Sequence, residues 1–268
     1  MDITIDRPFA ASEKGKRNNN EDSIYPLSEL TNPGQRLFMV CDVVGGAEKG
    51  EVASYLTCDS FYTFFNTFFE GDDPSEEFIN KAVRYAESRL DEYVSLHPEA
   101  HGMATTLTLL YIGVSGITIA HIGDSRIYQW REGRIIYETE DHSLVQSLVN
   151  MGELTKEEAA VHPKKNIITR ALSGAACAVN ADVALIKDIL DGDLFLMCTD
   201  GVTECFTNEQ LTALFSSGRN AESLKDYLIE KCTEESKDNF SFHIIPIQSI
   251  QKIAGYKQAL LSFFYSFI

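Results

Sequence analysis

Basic residues are scarce in this 268-residue chain: 23 Lys and Arg stand against 40 Asp and Glu, a formal charge of −17. That deficit excludes a general nucleic-acid binder, which needs a basic stripe to displace counterions from phosphates. The six cysteines include no CxxC pair and sit in mostly apolar sequence, which excludes a cysteine-rich zinc site and predicts reduced, largely buried thiols. No cysteine has an arginine six positions on; Ala47, Phe64, Val183, Glu204, Leu211 and Asp238 occupy those places. The loop that pairs an attacking thiolate with a phosphate-clamping arginine is therefore absent. The longest apolar stretch, Ala259 to Ile268, falls far short of the roughly 20 residues a membrane-spanning helix needs. No linker rich in Pro, Gly or Ser divides the chain, and the first residues carry neither a basic region nor an apolar run, so the expectation is one domain in the cytoplasm.

What remains is an ordinary globular composition, 44% hydrophobic and 24% charged, with ample material for a core. Short apolar runs bounded by turn residues predict strands at Arg36–Val44, Thr105–Ile112, Ile117–Ile122, Arg126–Trp130, Arg134–Glu138, Ala181–Ile186, Asp193–Cys198 and Ser241–Ile247. Between Glu48 and Leu96 the spacing turns helical, with Asp73 as N-cap, Pro74 at the first helical position and Glu76 completing a capping box for the second long helix. Further boxes at Thr155/Glu158 and Thr207/Gln210 open shorter helices. Strands this close in sequence must pair antiparallel, which favours a layered α+β sandwich over a doubly wound sheet. The domain is expected to occupy residues 1–248, with 249–268 as an apolar appendage.

Two motifs fail on inspection. Gly45-x4-Gly50 has the glycine spacing of a phosphate-binding loop, but Glu51 stands where its lysine must be. His97 and His101 have the spacing of helical zinc ligands, but Pro98 interrupts the helix that would align them. The remaining chemistry lies in aspartates that end hydrophobic strands: Asp42 after Phe38-Met39-Val40-Cys41, Asp200 after Leu194 to Thr199, and Asp124 after Ala120-His121-Ile122-Gly123. Acids at the mouths of buried strands are partly desolvated, and several together ionise only if a cation neutralises them. Hard oxygen ligands of this kind select Mg²⁺ or Mn²⁺. Taken singly, each aspartate could equally start a turn or cap a helix.

In order along the chain, Arg17-x-x-Asn20-Glu21-Asp22, Asp42-Val43-Val44-Gly45-Gly46 with Gly50-Glu51-Val52-Ala53-Ser54, Ala104-Thr105-Thr106, Gly123-Asp124-Ser125-Arg126, Asp141-His142-Ser143 with Ile168-Thr169-Arg170-Ala171-Leu172, Thr199-Asp200-Gly201 and Lys237-Asp238-Asn239 resemble the motifs of the metal-dependent PP2C (PPM) serine/threonine protein phosphatases, bacterial type. The resemblance implies a four-layer αββα sandwich of two antiparallel sheets flanked by helix pairs. It implies two Mn²⁺ or Mg²⁺ ions bridged by Asp42, with Asp200 and Asp238 completing the first site and the Val43 carbonyl serving the second. Glu21 would act through bound water, Asp22 would support it, and Asp124 would hold a third, looser ion with Asp200. Arg17 would grip phosphate with its fork of donors. The implied reaction is hydrolysis of phosphoserine and phosphothreonine by a metal-bridging water, on phosphoprotein substrates and in opposition to a protein kinase.

Two departures from the family pattern carry consequences. Val43 replaces a frequent glycine, so a backbone needing positive φ would be strained there and the second ion weakened. Val44 replaces the histidine proposed to protonate the leaving group in eukaryotic members, which leaves metal-bound water, or less directly His142, to supply that proton. The segment from Leu144 to Lys165 resembles the family's flap, with a short amphipathic helix stopped at Met151-Gly152. The terminal segment could pack on the domain, bind a partner or contact a membrane. Alternatives to the protein phosphatase are a non-catalytic binding module that has lost its second ion, or a hydrolase of small phosphoesters.

Overall fold

The computed structural model describes residues 1–45 and 49–251. In chain order the elements are β1 (Asp2–Ile5), β2 (Phe9–Glu13), β3 (Ser23–Tyr25), β4 (Leu37–Cys41), α1 (Gly50–Phe68), α2 (Glu76–Leu96), β5 (Leu107–Ile112), β6 (Ile117–Ile122), β7 (Arg126–Arg131), β8 (Arg134–Glu138), α3 (Leu144–Asn150), α4 (Lys156–Ala160), β9 (Asp182–Ile186), β10 (Leu194–Cys198), α5 (Asp200–Thr203), α6 (Asn208–Phe215), α7 (Ala221–Glu235) and β11 (Phe240–Gln251). One sheet runs β1-β11-β10-β7-β8, with β2 also on β11; the other runs β3-β4-β5-β6-β9. Every pairing is antiparallel.

The continuous apolar runs of β4 and β10 have a physical reason, since both strands are buried on both faces. In β4, Phe38 and Val40 point between the sheets while Leu37, Met39 and Cys41 point to α1 and α2. In β10, Phe195 and Met197 face the inner layer, and Leu196 and Cys198 face the helical layer formed by α5, α6 and α7. Burial of each such side chain is worth about 1.5–3 kcal/mol, which fixes the register because a one-residue slip would reverse every face. Three apolar layers thus separate four layers of structure, the αββα sandwich expected from the resemblance.

Most predicted strands lie within a few residues of the observed ones. β1, β2 and β3 were not anticipated: each is only three to five residues long and carries polar residues among its apolar ones. The box at Asp73 is corrected. Ser75 caps α2, accepting from the Phe78 N–H, while the Asp73 carboxylate accepts instead from the Ser115 N–H, 3.0 Å away. A tertiary contact has taken the residue that local spacing favoured. The boxes at Thr155/Glu158 and Thr207/Gln210 are formed reciprocally.

Strand β11 continues to Gln251 through pairing with β1, so residues 249–251 of the expected appendage are sheet. The rest of that segment, and Gly46 of the bridging-aspartate motif, lie outside the described residues. Five cysteines are buried and one, Cys177, is exposed. No helix among the described residues is long and apolar enough to cross a membrane.

Candidate metal centre

Antiparallel pairing gathers the predicted acids at one end of the sandwich. Asp42 follows β4, Asp22 precedes its neighbour β3, Asp200 opens α5 directly after β10, Asp238 precedes β11, and Asp124 lies in the turn between β6 and β7. Asp42 is held by its own backbone: its N–H donates to the Thr106 hydroxyl at 2.9 Å, and its carbonyl accepts from the Thr106 N–H and the Thr105 hydroxyl. Gly201 follows Asp200 because a Cβ there would stand 1.9 Å from the Asn239 carbonyl oxygen, so only glycine lets α5 approach the start of β11.

The electrostatics follow from crowding. Burial, and then the charges of Asp22, Asp200 and Asp124, push the Asp42 carboxyl well above the carboxylate range. Burial lifts Asp22 to about 7 against the opposing bond from the Thr199 hydroxyl to its Oδ2. Asp124 is raised to about 7 by burial and by Asp200 and Asp141, and Asp200 is raised by burial and by Asp238. The second oxygen of Asp22, Oδ1, is buried without any hydrogen-bond partner among the described residues. Converging carboxylates, an orphaned buried oxygen and an oxygen-only donor set fit hard divalent cations, whose charge would let the acids ionise together.

Arg17 Nη2 donates to Asp238 Oδ2 at 2.7 Å, with the guanidinium more than half exposed. This pairing is the main cause that raises the pKa of Arg17, with weaker help from Glu21 and Asp200. The fork therefore lies beside the acids, as expected. Glu21 is half-buried, its N–H donating to Asn239 Oδ1 and its carbonyl accepting from the Ser54 hydroxyl.

Sequence reasoning assigned Asn239 no role, yet its amide also donates to the carbonyls of Lys14 and Asn19, tying both ends of the Arg17 loop to the start of β11. Its adjacency to Asp238 was the available signal. Thr106, Thr199 and Asp182 were missed for a stronger reason, because their partners are distant in sequence.

Val43 is not strained. Among the described residues only Lys49 and Glu132 are non-glycines with positive φ. Val43 instead forms an isolated antiparallel bridge with Thr105, and its side chain occupies the space left by Gly50, where a Cβ would stand 2.4 Å from Val43 Cγ1. His142 is no free acid: its Nδ1 accepts from the Gly123 N–H and its Nε2 faces Asp182 Oδ2 at 3.1 Å. Burial and the neighbouring His121 lower its pKa to about 4, so it is neutral at pH 7. The flap helix stands as predicted: α3 is capped by Ser143 and ended at Gly152, with φ of 75°.

A protein-family model described as Protein phosphatase 2C matches residues 11–239. The serine/threonine protein phosphatase PstP of Mycobacterium tuberculosis is 34% identical over 226 residues, which cover 82% of this chain and 41% of PstP. This chain thus spans less than half of that relative. The serine/threonine phosphatase Stp of Listeria monocytogenes is 29% identical over 245 residues, covering 90% of this chain and 96% of Stp. The crystal structure of the PstP catalytic domain in complex with two manganese ions superposes with a TM-score of 0.76 at 30% identity, covering 92% of this chain and 100% of that one.

Proposed function

The chain belongs to the protein phosphatase 2C family, and on that premise we propose that it hydrolyses phosphoserine and phosphothreonine in proteins with two bound Mn²⁺ or Mg²⁺ ions. The observation that carries this reading is the convergence of Asp22, Asp42, Asp124 and Asp200 with pKa values raised by burial and mutual charge, beside the guanidinium of Arg17. When bound, the two cations supply the charge that acidifies a water molecule at neutral pH and offsets charge on the phosphoryl oxygens.

The chain's own residues divide the remaining tasks. Asp42 would hold both ions, Asp200 and Asp238 the first, and the Val43 carbonyl the second, with Glu21 acting through water. Asp22 would support Asp42 from close by, its charge being among those that raise the Asp42 pKa, and Asp124 with Asp200 would form a third, looser seat. Arg17, once its fork turns from Asp238, binds two phosphate oxygens and orients the ester. Of the two candidate side chains for protonating the departing alkoxide, Val44 has no proton to give and both ring nitrogens of His142 are engaged. Water in the site would supply the proton. The flap segment, with Met151 and Val161 exposed, would border the substrate approach.

The substrates would be phosphoproteins made by an opposing serine/threonine kinase in the cytoplasm. The test is turnover of p-nitrophenyl phosphate against added Mn²⁺, with Asp42→Ala and Asp238→Ala beside the wild type, followed by phosphoserine, phosphothreonine and phosphotyrosine peptides. Metal-dependent turnover lost in both variants is expected. A wild-type chain inert with Mn²⁺ on every substrate would sink the enzymatic reading.

A further inference from the structure

The turn that carries Asp124 depends on a partner from outside its own strands. Gly123 has φ of 102°, and a Cβ there would meet Thr106 Cγ2 at 2.5 Å, so the turn is built for glycine. A glycine held this way is free to move unless something pins it. His142 does so reciprocally: the Gly123 N–H donates to His142 Nδ1 at 3.0 Å, and the His142 N–H donates to the Gly123 carbonyl at 2.9 Å. Because Nδ1 must offer a lone pair, the proton of the neutral ring belongs on Nε2, where Asp182 Oδ2 accepts it.

Asp182 stands in register opposite His121 across the β6–β9 pair, and its other carboxylate oxygen takes the Arg170 guanidinium. The His121 ring stacks on His142 with centroids 4.5 Å apart, and its Nε2 lies 2.9 Å from the Glu140 carbonyl.

We infer that Asp182 and His142 are positioning residues for Asp124: Asp182 holds the imidazole with its proton on Nε2, and the bare Nδ1 pins the Gly123 amide and with it the carboxylate that follows. The value of this to catalysis rests on the proposed phosphatase reading of the acid cluster. His142 and the next residue, Ser143, also gather both ends of the flap, since the His142 carbonyl accepts from the Thr169 N–H at 2.7 Å and Ser143 bridges to Ile168. One ligand atom from each of His121, His142 and Asp182 lies within 4.8 Å of the others, a spacing that would suit a transition metal. The hydrogen bonds argue otherwise. A metal on His142 Nε2 would drive the proton to Nδ1, directly against the Gly123 N–H.

The experiment begins with the metal-free full chain, labelled with ¹⁵N. At pH 7 the His142 ring is expected to be protonated on Nε2 and bare on Nδ1. Asp182→Asn, a nearly isosteric change at an exposed side chain, can offer an N–H to Nε2 and should shift the proton to Nδ1 and weaken the Gly123 amide hydrogen bond, read by its chemical shift and exchange rate. In Mn²⁺-dependent turnover this variant should lose about 10–100-fold in kcat and need more Mn²⁺, with KM for a phosphopeptide unchanged.

Three histidine variants separate positioning from acid catalysis. His142→Asn puts an amide oxygen where Nδ1 was and should stay close to wild type, whereas His142→Gln and His142→Ala should fall as Asp182→Asn does. Equimolar Zn²⁺ should leave the ring signals of His121 and His142 unmoved. Protonation of Nδ1 in the wild type, an Asp182→Asn chain with an undisturbed Gly123 amide, or loss in His142→Asn equal to that in His142→Ala would each overturn the inference. If the wild type proved inert, the phosphatase reading would fail separately, and the tautomer and the Gly123 amide would still decide the positioning.

Discussion

Two buried aspartates, Asp193 and Asp22, teach opposite lessons. Asp193 is completely buried and completely satisfied: Gln129 Nε2 and the Leu190 N–H reach Oδ2, and the Arg131 guanidinium spans both oxygens at 2.8 and 2.9 Å. Asp22 is almost as buried, yet one oxygen has no partner, its nearest charged neighbours are Asp42 and Asp200, and its pKa rises to about 7. The first carries its counter-ion in the chain, so it is structural. The second lacks one, and that deficit, repeated at Asp42, Asp124 and Asp200, is the physical signature of a site completed by cations.

The sharpest break in that comparison is chemical. Asp42→Asn should lower Mn²⁺-dependent turnover by about a thousandfold or more, because this one carboxylate is proposed to hold both ions, while the chain melts no lower in the absence of metal. Loss of folding instead of turnover would put Asp42 in the class of Asp193. The converse change, Asp193→Ala, removes the buried acceptor shared by Gln129, the Leu190 N–H and Arg131, which keeps Asp188 as its partner, and should cost about 1–3 kcal/mol of stability in urea unfolding, with the half-saturating Mn²⁺ unchanged.

The pH dependence separates the two regions next. For Asp22 and Asp124, folded values near 7 lie above an unfolded value near 4, so between those limits the folded chain keeps protons that the unfolded chain has released. The contribution of these two carboxylates to stability should therefore fall as pH rises from 4 to 7, by at most about 1.4 kcal/mol per unit for each. Buried His142 and His243 act in the opposite direction, so the carboxylate effect is read by difference: from pH 5 to 7.5 the metal-free wild type should lose melting temperature relative to Asp22→Asn, and saturating Mn²⁺ should raise the wild-type melting temperature most at pH 7.5. A slope unaltered in Asp22→Asn would locate the effect elsewhere.

The smallest effect is expected at Val43. Its unstrained backbone predicts that Val43→Gly costs about 1 kcal/mol of stability and leaves the Mn²⁺ requirement close to wild type. A marked gain in Mn²⁺ affinity would show that the β-branched residue does weaken the second ion.

Strands β4 and β10 were legible because burial on both faces writes an unbroken apolar run into consecutive residues. The caps at Thr155 and Thr207 were legible because each is complete within four residues. The ordered motifs were enough to pick out acids that the fold gathers at one end of the sandwich. β1, β2 and β3 were not legible, since short strands become strands through the partners they find in β11 and β4.

Nor could spacing near Asp73 reveal that Ser115, 42 residues away, would claim its carboxylate. The chain by itself determined which side chains are apolar, which are acidic and where helices begin, because those properties depend on a residue and its near neighbours. Tertiary structure alone decided that Asp22, Asp42, Asp124 and Asp200 would share one volume, that Asp193 would meet an arginine, and which nitrogen of His142 carries the proton. Charge interactions and desolvation act through space, and antiparallel pairing brings Asp22 beside Asp200, 178 positions away, and Arg17 beside Asp238, 221 positions away.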